Sequence, residues 1–506
     1  MKNVLIVGAG KMVSPIVEYL NYKRHNISIL NRTQEKAEEI ANLHGHASAV
    51  DLDSSDFLTV VNKIAGNYDL VISMVPKDVH PFVAHACIDS KTNMLTSSYV
   101  TDLLNNMDEQ AKDAGIIIVN ELGEIPGIDH VVTRELLNKI KSKQGKLFSL
   151  ESYGTNIPLN PNVNALGYKF AWDPITFFKA AQTAAAYMKD GKRVDVPGEL
   201  LFKDIRRVKI NGETFEVYFN KDATKYIVPF GMDNLAYNME NFSYSRGLLR
   251  HEGYCEIMDV LGGLKLFRDG KKQDFNGMVY PDLMASLIGH SKYNGNIRNL
   301  VADSLKMDID SNPIKFMDEI GLFDYDNKIP EEITNVQDAL QHLMMQKMIY
   351  GSGEEDLVMI HQKARVFYDG KPHEETVTMR LTGVPYEGNS AISRAVGIPV
   401  GIMADYMLNN DVSGENPGVH ILPTILDSKL TEHMLSELRQ NGMEFIFNTK
   451  ELQPIMKGPE YYYEKHSRDQ QTEKVGQKQP FVRGFEYYRK KNEGLKPIDV
   501  DCRQTL

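Results

Sequence analysis

Gly8-Ala9-Gly10-Lys11-Met12 lies between an apolar run, Val4-Leu5-Ile6-Val7, and Ser14-Pro15, where a strand gives way to a helix. Glycines at such a turn let backbone N–H groups approach a pyrophosphate at the positive end of the helix. The third glycine of the usual fingerprint is absent, with Val13 in its place, and a G-x-G alone is common by chance. The context carries the reading. About 20 residues further on, a second apolar run ends at Leu30 and delivers Asn31-Arg32-Thr33, where an NAD-binding chain carries an acid for the ribose 2′-hydroxyl. Arg32 beside the Thr33 hydroxyl suits a 2′-phosphate instead, because guanidinium makes charge-assisted, two-pronged contacts with it. NADP is therefore the expected cofactor and NAD the alternative; Arg32 is otherwise a solvated strand end. Gly8, Gly10, Lys11, Met12, Asn31, Arg32, Thr33 and Asp51 form the candidate cofactor site. Ser73 and Val75 join it from the run 71–76, along which a Rossmann backbone edges its dinucleotide.

Three more segments carry unusual local chemistry. Thr96-Ser97-Ser98-Tyr99 ends a strand on the ligand side of the same sheet and adds Ser98 to the cofactor candidates. The turn-rich Gly123-Glu124-Ile125-Pro126-Gly127-Ile128-Asp129-His130 follows another strand and adds Gly123. Gly167-Tyr168-Lys169-Phe170-Ala171-Trp172 contains the only tryptophan. Tyr99 is either a proton relay or a half-buried tyrosine at a strand end. Asp129 and His130 either position a water or ribose, or cap their own loop.

These residues need a scaffold. Residues 1–122 alternate β-branched runs (4–7, 27–30, 70–75, 93–96 and 116–119) with helical stretches such as 34–42 and 103–114, the pattern of a doubly wound parallel sheet. Residues 123–250 mix longer strand-like runs (148–153, 215–219) with a helix expected over 174–188, and 251–350 read as a helical insertion, notably 280–288 and 336–348. Strands return at 357–368 and 374–382, so 351–387 is expected to complete the sheet of the second domain. The fold class is therefore α/β: a Rossmann-like parallel-sheet domain, a mixed α+β domain and a small helical domain. Residues 388–445, with helices over 390–407 and 431–441, form a return segment packing on the Rossmann domain. A Lys-, Glu-, Gln- and Tyr-rich extension, 446–506, reads as a surface strap or a partner-binding arm.

At roughly 100 to 200 residues per domain, 506 residues suffice for two to four. The 42% hydrophobic and 25% charged fractions are those of a globular chain. With 57 basic against 68 acidic residues and a pI near 5.8, a general nucleic-acid or anionic-membrane surface is not expected, although a local basic pocket stays open. Cys87, Cys255 and Cys502 have no metal-ligand spacing and no even disulfide framework, so the expected setting is a reducing one, the cytoplasm, with no metal. No unbroken apolar run approaches the ~18 to 20 residues of a membrane span, and the first run is too short for a signal-peptide core.

Taken together, these segments resemble the glutamate-forming saccharopine dehydrogenases, also called saccharopine reductases. The resemblance spans most of 1–445. It includes the G-x-G loop with a proline on the first helix, Ser73-Met74-Val75-Pro76 with His80-Pro81, Thr96-Ser97-Ser98-Tyr99, and Glu121-Leu122-Gly123 with Pro126-Gly127-Ile128-Asp129-His130. Tyr168-Lys169-Phe170, Asn220 with Asp222 and Thr224, Arg246-Gly247 and Gly397-Ile398-Pro399 continue it. It implies a Rossmann domain, an α/β domain that binds a small amino-acid substrate and forms a homodimer, and a small helical domain. The implied reaction oxidises the secondary amine of saccharopine with a nicotinamide cofactor and hydrolyses the imine to glutamate and aminoadipate semialdehyde, or runs in reverse as a reductive condensation. Such chemistry needs a neutral amine, water at the imine, proton relays and cations for carboxylates. On the family pattern Tyr99, Asp129 and His130 are the catalytic candidates, and Ser98, Tyr99, Lys169, Lys221, Asp222 and Arg246 the substrate-binding ones.

The departures cluster on the substrate side. Ile125 stands where the family usually has an aspartate, Gly154 where it has the cysteine of a Cys-Gly-Gly-Leu-Pro segment, and Lys221 where it has an arginine for a substrate carboxylate. Lys221 still neutralises a carboxylate, but as a point charge without the planar fork. Unmatched buried polar groups cost on the order of 1 to 3 kcal/mol each, so retuned specificity is expected, with saccharopine turnover raised by restoring aspartate, cysteine and arginine together. Two rival readings follow from these departures. One keeps the fold and changes the substrate to another opine-like amine, such as a carboxylated polyamine. The other is a weakly catalytic dinucleotide-binding sensor or scaffold.

Overall fold

The computed structural model describes residues 1–44, 47–50, 57–171, 174–268, 270, 272–290 and 295–453. Asp51, Trp172 and the chain from 454 onward lie outside them. The strands are β1 (Asn3–Val7), β2 (Asn26–Leu30), β3 (Ala47–Ala49), β4 (Leu70–Ser73), β5 (Asn93–Leu95), β6 (Ile117–Asn120), β7 (Lys146–Pro158) and β8 (Ala185–Lys189). They continue with β9 (Lys192–Val196), β10 (Ile205–Ile210), β11 (Glu213–Phe219), β12 (Ser243–Arg250), β13 (Asp356–Tyr368), β14 (Lys371–Gly383), β15 (Gly418–Ile421) and β16 (Glu444–Glu451).

The first sheet has the order β15-β6-β5-β4-β1-β2-β3, with every pairing parallel. Helices cover both faces, so the runs Val4 to Val7 and Leu70 to Ile72 are buried throughout. The order reverses between β1 and β4, which places the glycine loop and the end of β4 beside the crevice where such sheets bind dinucleotides. β15 adds an edge strand beside β6 that the alternation within 1–122 does not contain.

The second sheet has nine strands, β10-β11-β12-β7-β13-β14-β16, with β8 attached at β12 and β9 paired to β8. β7 and β12 run parallel in its centre. The long β13 and β14 do complete this sheet, with β13 paired along β7 from Asp356 to Phe367. Asp190-Gly191, Asn211-Gly212 and Asp369-Gly370 have positive φ at both residues and make the two-residue turns of its hairpins.

Two expectations are corrected. The helix expected over 174–188 stops at Ala180; Ala185–Lys189 is strand β8. The Asp190-Gly191 turn folds this alanine-rich stretch onto β9, and pairing overrides its helical propensity. The boundary at 446 falls inside β16, whose Phe445 and Phe447 pack on the core while Ile446 is exposed. Such one-sided alternation belongs to an edge strand, and its polar face disguises it as tail.

Residues 251–350 are helical and share one core with β10 to β12. The helix Ala391–Asn409 is long and apolar enough to cross a membrane by length and composition, although Arg394 and Asp405 interrupt its apolar run. It is mostly buried against the glycine-loop helix Ser14–Tyr22 and against β13 and β14. Gly397 and Gly401 permit this approach, since a Cβ on Gly397 would stand 2.7 Å from the Met12 carbonyl oxygen and one on Gly401 2.8 Å from the Tyr19 ring. Buried Asp356 accepts from the amides of Ala391 (2.7 Å) and Ile392 (3.1 Å) and so seats the start of the helix on β13.

Candidate active site

The glycine loop has the shape its sequence requires. Gly8 has φ +115°, and a Cβ there would lie 2.4 Å from the Met74 carbonyl oxygen, so β4 closes on the loop only because residue 8 is glycine. Among the described residues nothing approaches within 4 Å of the corresponding point on Gly10, which leaves that side open for a phosphate. Asn31 Oδ1 accepts from the Ala9 amide (3.1 Å), and its Nδ2 donates to the Thr33 carbonyl (2.7 Å), so Asn31 fixes the loop against the end of β2. Arg32, Thr33 and Lys11 are exposed around it and Met12 is half-buried. These residues fit a dinucleotide carrying an extra phosphate. Ser73 and Gly123 are buried and Val75 half-buried. The Ser73 hydroxyl is bonded to His80 Nδ1 at 2.8 Å. Asp51 lies outside the described residues.

At the ends of β5 and β6 the chain builds a buried polar cluster. A Cβ on Gly127 (φ +148°) would collide with Gly123, and the Gly123 amide donates to the Pro126 carbonyl (2.8 Å), so the 123–127 loop closes on itself. It delivers Asp129 and His130 to the first turn of the helix Ile128–Ser142, 2% and 1% exposed. Arg246, from β12, donates to Asp129 Oδ2, and Asp129 Oδ1 accepts from the Gly127 amide at 2.8 Å. Burial by itself raises the Asp129 pKa, but the adjacent Arg246 charge prevails and holds it below the usual value. His130 Nε2 lies 2.9 Å from Glu121 Oε2, which also accepts from the Tyr226 hydroxyl at 3.0 Å. Gln362 donates to the Asp129 carbonyl, Thr133 and Ser152, tying the helix that carries Asp129 to β13 and β7 of the second sheet.

Tyr99 borders this cluster. Its hydroxyl oxygen is buried without a hydrogen bond among the described residues, and desolvation, opposed by the Arg246 charge, pushes its pKa up to about 12. Lys221 Nζ stands 5.6 Å from the Tyr99 ring centroid. Burial lowers the Lys221 pKa, and the like charges of Lys77 and Lys225 lower it further. Lys221 has φ +57°, a conformation uncommon outside glycine and asparagine. Asp222 does not face the cluster in the same way. It accepts from the Thr224 amide (3.0 Å) and from Arg193 (3.0 Å), and so stiffens the turn that presents Lys221. Lys169 is bound to Glu354 at 2.6 Å.

Tyr99, Asp129, His130 and Arg246 are thus brought together, with Lys221 at their edge, while Lys169 and Asp222 have other partners. Sequence reasoning gave no role to Glu121, Tyr226, Lys77 or Glu124. Glu124 was visible as an acid within a Gly-Pro loop; it is 8% exposed, and its Oε1 has no hydrogen bond among the described residues. Burial pushes its pKa up to about 8, with Asp129 and Asp356 raising it and Arg250 opposing them. Glu121 was visible in the Glu121-Leu122-Gly123 motif but given no role, and nothing local marked Tyr226 or Lys77.

Residues 4–119 match the model of the saccharopine dehydrogenase NADP binding domain, and residues 123–443 that of the saccharopine dehydrogenase C-terminal domain. The saccharopine dehydrogenase [NADP(+), L-glutamate-forming] of Pyricularia oryzae is 28% identical over 470 residues, covering 88% of this chain and 98% of its own. The mitochondrial alpha-aminoadipic semialdehyde synthase of Rattus norvegicus is 28% identical over 463 residues, 89% of this chain; against that relative the chain spans about half the length, 48%. The solved structure of apo saccharopine dehydrogenase (L-Glu forming) from Saccharomyces cerevisiae superposes with a TM-score of 0.76 at 26% identity, covering 88% of this chain and all of that one.

Proposed function

This chain belongs to the saccharopine dehydrogenase family, and from that membership we propose that it is an NADP-dependent oxidoreductase acting on the CH–NH bond of saccharopine or a closely similar amino dicarboxylate. The observation that carries the reading is the setting of Tyr99. A protonated phenol stands at the ligand end of β5 beside the cation Lys221 and within electrostatic reach of Arg246, with no hydrogen bond of ordinary geometry among the described residues.

A nicotinamide dinucleotide held by the glycine loop and Arg32 would supply the hydride acceptor or donor. The chain does the rest. With its pKa near 12, Tyr99 stays protonated at neutral pH and donates a hydrogen bond to a hydroxyl or amine at the reacting carbon. Arg246 is committed to Asp129. Among the described residues Lys221 has no acidic partner, so it is the cation left beside Tyr99 for a substrate carboxylate. Asp129 and His130 act as the support of this arrangement: they hold Arg246 and Glu121 in place and fix the field in which Tyr99 works.

Homodimerisation through the nine-stranded sheet and a cytoplasmic setting belong to the same proposal. His361, Lys363 and Arg365 are partly exposed on one face of β13 while Ile360, Gln362 and Ala364 are buried on the other, which suits an interface carrying charge. Cys87 and Cys255 are free and buried, as in a reducing compartment. Sedimentation in dilute solution tests the first and imaging of a tagged chain the second. The activity is tested by following NADPH consumption with glutamate plus aminoadipate semialdehyde and with other amine and aldehyde pairs. Rapid oxidation with the first pair supports the proposal. Consumption only with another pair moves the substrate to an opine-like amine. NADPH binding without turnover of any pair favours the sensor reading.

A further inference from the structure

His80 opens the helix His80–Ser90 and is completely buried between the ends of β4 and β5. Its Nδ1 lies 2.8 Å from Ser73 Oγ, and its Nε2 lies 2.8 Å from Ser98 Oγ and 3.4 Å from Thr96 Oγ1. The Ser98 amide in turn donates to Thr96 Oγ1 at 3.2 Å, and the Glu121 amide donates to the Ser98 carbonyl at 3.0 Å. One imidazole therefore grips the segment that carries Tyr99, through a serine that is only half-buried and faces the ligand end of the sheet. Desolvation alone holds the ring's pKa down to about 4, so at neutral pH it has one N–H and one lone pair. A neutral imidazole donates at one nitrogen and accepts at the other. Whichever tautomer Ser73 selects, the other nitrogen then dictates whether Ser98 gives its proton to the ring or keeps it free for a ligand.

We propose that His80 is a positioning residue, anchored by Ser73, which sets the rotamer and hydrogen-bond polarity of Ser98 for the nicotinamide half of the dinucleotide and thereby fixes the approach of Tyr99. The identity of the amine rests on the function proposed above, but the binding of the cofactor does not. The test is a double-mutant cycle on the full chain, with the NADPH dissociation constant measured from the fluorescence of the bound cofactor and the thermal midpoint recorded beside it. His80→Ala and Ser98→Ala are each expected to weaken NADPH binding about tenfold, one buried hydrogen bond's worth. In the Ser98→Ala background, His80→Ala should add less than about twofold, because its route to the ligand is already cut.

His80→Gln keeps a nitrogen within reach of Ser98 and should recover most of the affinity, whereas His80→Asn, which reaches only Ser73, should not. If His80→Ala does not fold, these two variants and Ser98→Ala carry the comparison. An undiminished effect of His80 without Ser98, or Gln and Asn variants whose affinities simply follow their thermal midpoints, would overturn the proposal. Wild-type NADPH binding without turnover of saccharopine or its precursors would refute the proposed substrate while leaving this cycle decisive.

Discussion

Ile125 Cδ1 lies 1.9 Å from the point where a Cβ on Gly154 would stand. The two positions are therefore one packing unit: the isoleucine fills the space that any side chain at 154 needs. A cysteine at 154 alone forces the end of the Ile125 side chain to move, and because that end is a movable methyl the cost lies at or below the low end of the roughly 1 to 3 kcal/mol of overpacking. Gly154→Cys is expected to lower the urea midpoint, and Ile125→Asp with Gly154→Cys to be more stable than the sum of the two single effects. The joint change with Lys221→Arg is the version to assay for higher kcat/KM on saccharopine. Additive single effects on stability would contradict the coupling.

Arg32 is exposed where a 2′-phosphate would lie. Arg32→Ala should reduce the preference for NADPH over NADH by roughly 1.5 to 3 kcal/mol, the range of a charge-assisted hydrogen bond. Titration of both cofactors into both proteins measures it, and equal affinities in the unaltered chain would remove the basis for NADP.

Tyr99→Phe deletes a hydroxyl that makes no hydrogen bond of ordinary geometry among the described residues. Stability should change by less than about 1 kcal/mol, while kcat falls by about 100-fold or more, as loss of a proton-transfer group does. With the hydroxyl's pKa near 12, no limb of the unaltered protein's pH profile below pH 10 should depend on Tyr99.

Arg246 and Asp129 are both buried, so removing one strands the other. Arg246→Met should destabilise the chain by about 3 to 5 kcal/mol, and adding Asp129→Leu should recover part of the loss. Denaturant unfolding of the single and double variants gives the answer.

Glu124 makes stability depend on pH. Its folded pKa, near 8, lies above an unfolded value of about 4.3. The unfolded chain therefore loses this proton first as pH rises, and the folded state loses relative stability between about pH 4 and 8. Glu124→Gln should match the unaltered protein at pH 4 and exceed it by a few kcal/mol at pH 8, since each unit of displacement is worth about 1.4 kcal/mol. A difference that does not grow with pH would show that Glu124 titrates normally.

What was legible in the sequence is what local chemistry dictates. The β1 run, the glycine loop and Asn31-Arg32-Thr33 follow one another within a single βαβ unit, so their spacing already specified the cofactor half. The strand-like runs 357–368 and 374–382 were likewise legible; that they form one long hairpin turning at Asp369-Gly370 is what the fold adds. Local signals failed where partners are remote. The alanine-rich 185–189 became a strand because β9 and β12 lay ready to pair with it, and β15 reached the first sheet from about 300 residues away, as the Asn120 to His420 hydrogen bond records. The site divides in the same way. Tyr99, Asp129 and His130 stood out as candidates from their context and the family pattern, but only the fold brought Arg246 to Asp129 across 117 residues and committed Lys169 to Glu354. Burial decided the rest: a carboxyl such as Glu124 or an imidazole such as His80 has its proton affinity set by the neighbours and water that folding adds or removes, which no reading of adjacent residues contains.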